Sequence, residues 1–152
     1  IAGGKNSLIG SVENAEDNID EAKRMLNELR PNENDVVIGL AASGNTPFTS
    51  FVLQEASLSK SLTIGISNNP KGRILDYANL GLILSTGSEI VTGSTRLKAG
   101  TAQKITLNII STMVMVKFNR VKKGQMTHMI TSNQKLKDRK LRISSFLGSF
   151  ND

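Results

Sequence analysis

The stretch DVVIGLAASGNTPF, Asp35 to Phe48, decides the fold. Its first half, DVVIGLA, is a continuous apolar run of strand length, the pattern of a strand buried on both faces. Its second half changes character within two residues, to Ser43, Gly44, Asn45 and Thr46. TPFTSFVLQEASL follows with helical spacing, and Pro47 fits the first turn of a helix. The unit therefore reads strand, polar loop, helix. Such a loop is either a plain helix cap or a cradle for an anion, built from backbone amides and the hydroxyls of Ser43 and Thr46. Gly44 lets backbone approach closely without a Cβ.

Working outward, the same alternation repeats. IDEAKRMLNELR (19–30) is amphipathic and is stopped by Pro31. SLTIGIS (61–67) reads as a second buried strand closed by NNPKG, RILDYA (73–78) as a short helix, and LGLILST (80–86) as a third strand. GSEIVTGS is a loop. TRLKAGTAQKITLNIISTMVMVKF (95–118) is the longest helical pattern, and its apolar stripe through Leu97, Ile105, Ile109, Met113 and Val116 predicts a central helix. NQKLKDRKLRISSFL (133–147) reads as a last amphipathic helix. Strands alternating with helices give right-handed βαβ units and a parallel sheet. Ligands of such sheets bind beyond the strands' carboxyl ends, where both SGNT and SNNPKG fall.

Composition narrows the partners. The chain has 152 residues, no cysteine and a net charge of +6. A disulfide framework and thiolate metal sites are excluded. No apolar run reaches the roughly 20 residues of a membrane span, so no membrane partner is expected. The positive charge is concentrated in 117–142, where Phe118 is the only aromatic residue. Without stacking platforms, that stretch reads as a solvated helix face or an anion-attracting rim rather than a nucleic-acid surface.

GSTRLKAGTAQKITLNIIST, Gly93 to Thr112, closely resembles the signature of N-acetylmuramic acid 6-phosphate etherases, a family of the sugar-isomerase (SIS) class. IAGG with SVENAED, DVVIGLAASGNTPF and LTIGISNNP agree with the family's pattern in the same order. The resemblance implies a three-layer α-β-α sandwich with a parallel sheet over residues 1–120, followed by C-terminal helices over 121–152. It implies a homodimer in the bacterial cytoplasm that acts on a phosphorylated amino sugar, with no metal or cofactor, in the recycling of peptidoglycan. The reaction implied is removal of a D-lactyl ether by elimination and hydration.

The site residues follow from the same match. Glu16 of VENAED occupies the family's catalytic glutamate position, with Glu13 and Asp17 as its competitors. Read alone, these acids are an ordinary helix lead-in. Ser43, Gly44, Asn45 and Thr46 match the phosphate loop, although many relatives carry Arg where Asn45 stands. Ser94, Thr95 and Arg96 begin the long helix at the sugar-binding loop, and Lys98 supplies charge nearby. Gln103 and Lys104 read as structural, and His128 is given no catalytic role. The family's further motif, a Gly-rich strand-loop with a second acidic residue, would precede IAGG, so the chain reads as N-terminally truncated. Two other functions share these features: an aldose–ketose sugar-phosphate isomerase, against which GSTRLKAGTAQK argues, and a non-catalytic sugar-phosphate sensor.

Overall fold

The computed structural model of the chain describes residues 2–10 and 12–148. Ile1 of the IAGG stretch and Ser11 of SVENAED lie outside the described residues. The chain divides into two compact units, Ile1–Lys104 and Ile105–Asp152.

In the first unit, α1 spans Ile19–Leu29. The side chain of Asn18 accepts from the Glu21 amide and caps it, and Asp20 and Glu21 fill its first turn, where negative charge suits the helix dipole. Arg24 donates to both Glu21 and Glu28 along one exposed face. Arg30 takes a left-handed φ of 48° and ends the helix just before Pro31.

Three parallel strands follow, β1 (Val36–Ala41), β2 (Leu62–Ser67) and β3 (Leu80–Ile83), in the order β1-β2-β3. Val36 pairs with Leu62 and Ala41 with Ser67, so β1 and β2 end level. Helix α2 (Pro47–Leu58) connects them. It lies close on β1: a Cβ on Gly39 would come within 2.7 Å of the Leu53 side chain. Leu53, Ala41 and Ile74 form the buried cluster, with Val37, Tyr77 and Ala78 against it. The parallel sheet flanked by helices is the SIS-type α/β sandwich that the sequence implies.

A polar bolt joins β2 to the entry of β3. Asn79 Oδ1 accepts from the Thr63 amide (2.8 Å) and the Thr63 hydroxyl (2.9 Å), and the Asn79 amide donates to Thr63 Oγ1 (2.9 Å). Thr63 is fully buried, and Asn79 satisfies both its amide and its hydroxyl.

Several expectations change. RILDYA forms only a short 3-10 turn at Arg73–Leu75. The third strand stops at Ile83, and all four of its residues are exposed. The long helix, α3, begins at Lys98 and runs to Lys117, so Ser94, Thr95 and Arg96 lie in the loop before it.

Nor is α3 central. Ile105, Ile109 and Met113 are about half exposed, and Ala99 is its one buried residue. An apolar stripe is buried only where another element covers it, and among the described residues the stripe stays open.

In the second unit, part of the basic stretch is not helical. Val121–Lys122 and Gln125–Met126 pair antiparallel as β4 and β5. Lys123 (φ 48°) and Gly124 (φ 74°) make the two-residue turn, which needs positive φ at both positions. Helix α4 (Gln134–Leu147) is capped by Asn133, whose side chain accepts from the Leu136 amide. Among the described residues no helix is long and apolar enough to cross a membrane.

Candidate functional site

At the carboxyl end of β1 lies an open cavity of about 600 Å³. Its wall includes Glu16, Ser43, Thr46, Gly93, Thr95 and Gln103, together with the end of β1 and the first turn of α2. The chain thus brings together residues from three separated motifs. Of the three neighbouring carboxylates, Glu16 lines the cavity and Glu13 and Asp17 do not. Gly44, Asn45, Ser94, Arg96 and Lys98 also lie outside its lining. A larger groove of about 770 Å³ runs between α1 and α2, past Lys23, Arg30 and Phe51, and contains none of the predicted site residues.

The start of α2 is built differently from those of α1 and α4. Its N-cap residue, Thr46, makes no capping hydrogen bond with its side chain, and Pro47 occupies the first turn. The hydroxyl that would cap an ordinary helix is therefore not spent on the helix. The uncapped amides and the positive end of the dipole stand at the cavity wall, a favourable place for an anion.

The SGNT loop is held from behind by the NNPKG turn and the two residues that follow it. Asn69 Nδ2 donates to the Ser43 carbonyl (2.9 Å), the Ile74 amide to the Gly44 carbonyl (3.0 Å), and the Arg73 amide to Asn45 Oδ1 (3.2 Å). Gly44 has φ 73°, and a Cβ there would come within 2.3 Å of Gly72 Cα. Both a left-handed backbone and a backbone-to-backbone approach require glycine at this point. Asn45, the position where the match to the phosphate loop is weakest, is a tie between the two loops in this chain.

The third wall is the loop between Glu89 and Lys98. The Glu89 carboxylate accepts from the Lys98 amide (3.0 Å) and the Ala99 amide (2.9 Å) at the start of α3. The Ala99 and Lys98 amides, with the nearby Lys98 charge, hold this carboxyl below its ordinary range. Gln103 Nε2 donates to Asn68 Oδ1 (3.0 Å), and Asn68 in turn donates to the Leu84 carbonyl and Thr86 Oγ1. Sequence reasoning missed Glu89 and Asn69 and gave Gln103 only a structural part. An acid nine residues before a helix lies outside the spacing of a capping box, so no local signal marked Glu89.

A family model for the N-terminal SIS domain of the glucokinase regulatory protein matches residues 1–57. With that match, the parallel sheet and its loop-lined cavity are those of a SIS-type fold. The chain is 46% identical to an N-acetylmuramic acid 6-phosphate etherase of Lactobacillus johnsonii, over 94% of its own length and 48% of the relative's. Etherases of Clostridium acetobutylicum and Pasteurella multocida are 43% and 41% identical, over 94% of this chain and 47% and 48% of theirs. Over nearly all of its length the chain is similar to N-acetylmuramic acid 6-phosphate etherases, and it spans about half the length of the curated relatives it matches.

Proposed function

We propose that the chain carries the phosphosugar site of an N-acetylmuramic acid 6-phosphate etherase, a carbon–oxygen lyase that releases D-lactate and leaves N-acetylglucosamine 6-phosphate. The observation that carries this reading is the shared cavity. A carboxylate, Glu16, and an uncapped helix start, at Thr46, face one space.

Direct displacement of an ether is slow, whereas elimination is within reach of a carboxylate. Once the sugar opens, its aldehyde acidifies the hydrogen on C2. A base takes that proton, the electron pair forms the C2–C3 double bond, and lactate departs from C3 with a proton from an acid. Water then adds across the double bond. Glu16 serves as one of these proton-transfer groups, and such groups contribute about 10² to 10⁴ in rate. The phosphate rests on the start of α2, with Ser43 and Thr46. Thr95 and the backbone at Gly93 meet the sugar, while Ser94, Arg96 and Lys98 frame that loop. The working form is a homodimer in the bacterial cytoplasm, engaged in cell-wall recycling. Residues 1–120 form its phosphosugar domain and 121–152 a C-terminal extension.

The full-length natural protein, incubated with N-acetylmuramic acid 6-phosphate, should release D-lactate. Its Glu16→Gln variant should still bind the substrate and lose about 10² or more in turnover. Near-normal turnover in the variant would move the role to Glu13 or Asp17.

A second reading is favoured by the regulatory-protein match over residues 1–57: a domain that binds a sugar phosphate and does no chemistry. Binding with no lactate release from the full-length protein would select it.

A further inference from the structure

We propose that Glu89 is a positioning residue, whose carboxylate clamps the 90–97 loop to the start of α3 and so holds Gly93 and Thr95 in the cavity wall. Two independent observations point to it. First, the carboxylate uses both oxygens, one on the Lys98 amide and the other on the Ala99 amide. It closes a loop of eight intervening residues at its two ends. Second, packing does not hold that loop. Ile90, Val91 and Leu97, its large apolar residues, are 85%, 61% and 53% exposed. Its internal bonding is slight, with the Ser94 amide donating to the Val91 carbonyl at 3.0 Å, and its last residues are tied to α3 by backbone, the Thr95 and Leu97 carbonyls accepting from the Gly100 and Thr101 amides at 3.0 Å each.

A loop that buries little apolar surface is drawn from the low-stability end of a fold, so an anchor at its ends sets how well its middle is placed. Glutamine has the right length but one acceptor oxygen, and its amide group would face a backbone N–H. It can satisfy one of the two amides and brings no charge, whereas charge-assisted bonds are roughly twice as strong as neutral ones.

The positioning role rests on the reading of the cavity as a phosphosugar site; the clamp itself does not. Both are tested on the chain and its Glu89→Gln and Glu89→Asp variants. Backbone hydrogen exchange reports the clamp. In Glu89→Gln the amides of Ser94, Lys98 and Ala99, which carry the hydrogen bonds of the loop and its clamp, should exchange about tenfold faster or more, while those of β1 and β2 stay unchanged. Glu89→Asp, which keeps both acceptors on a shorter stem, should fall between. Titration with N-acetylglucosamine 6-phosphate and with inorganic phosphate reports the positioning. Glu89→Gln should weaken the sugar phosphate about tenfold and inorganic phosphate less than about twofold, because the start of α2 is untouched.

Unchanged exchange at Ser94, Lys98 and Ala99 in Glu89→Gln would overturn the clamp, whatever the chain binds. Equal weakening of both ligands would overturn the positioning role and make Glu89 a general stability residue. If the unsubstituted chain binds neither ligand, the phosphosugar reading falls and the positioning role with it, while the exchange pattern still decides the clamp.

Discussion

Gly44→Ala is the sharpest test of the way the SGNT loop is built. Two costs act at this position. The left-handed backbone, φ 73°, costs a residue with a Cβ about 1–2 kcal/mol. The added methyl group would also lie 2.3 Å from Gly72 Cα and 2.6 Å from Ser67 Oγ. Gly72 Cα is backbone and Ser67 Oγ is fixed by its bonds to the Asn69 carbonyl and amide, so relief requires the loops to part, at about 1–3 kcal/mol. The expected loss is the sum, about 2–5 kcal/mol.

Two other glycines separate the costs. Gly87 has φ 66° and open space around it, so Gly87→Ala carries only the backbone cost. Gly72 has φ −70°, and a Cβ there would meet Gly44 Cα at 2.6 Å, so Gly72→Ala carries only the clash. Urea unfolding of the three variants should place Gly44→Ala lowest, below Gly87→Ala by about 1–3 kcal/mol. Thermal midpoints should follow at about 2–4 °C per kcal/mol. If Gly44→Ala and Gly87→Ala lose the same stability, the inter-loop contact is not a constraint and the reasoning fails.

Other outcomes follow from the same geometry. Asn79→Ala leaves the buried Thr63 amide and hydroxyl without their partner and should cost about 1–3 kcal/mol in urea unfolding; a loss under about 0.5 kcal/mol would show that water replaces the side chain. Thr46→Val should weaken inorganic phosphate and sugar phosphates in titration calorimetry yet change stability by less than about 0.5 kcal/mol, because the hydroxyl does not cap α2; equal loss of both would mark a plain helix cap. Glu89, held below its ordinary 4.5, contributes stability that is complete above that value and is lost as pH falls through its lower folded value. The stability gap between the protein and Glu89→Gln should therefore narrow in acid, and a gap that does not narrow as pH falls below 4.5 would place the effect elsewhere.

What the sequence revealed tracks what is local. DVVIGLA, SLTIGIS and TPFTSFVLQEASL each form the element their spacing predicts, because apolar period and turn residues agree in each. Helix α1 was legible for the same reason, down to Pro31 as its stop. The burial of α3 was not, since periodicity shows that a stripe is apolar and says nothing of what covers it. The β4–β5 hairpin was hidden by charge: Lys122 and Lys123 read as part of a basic face, although Gly124 after Lys123 carries the turn signal.

At the candidate site, residue types were easier to find than their neighbours. Glu16, Ser43, Thr46 and Thr95 come from motifs that stand out in the sequence, and all four reach one cavity. The supports of that cavity join residues 28 positions apart, as Asn45 and Arg73 do, or 9, as Glu89 and Lys98 do. Neither pair has a recurrent spacing, so both needed the folded chain.

The start of α2 also has a kinetic meaning. Proline fixes its own φ, and Pro47 stands where the helix begins. With the loop before it tied at two backbone carbonyls and the Asn45 side chain, little ordering would remain to be done for an anion bound as proposed. Its capture would resemble docking onto a prepared shape, with no folding step to slow it. Differences in affinity among phosphorylated ligands should appear in how long each one stays, with arrival rates nearly alike.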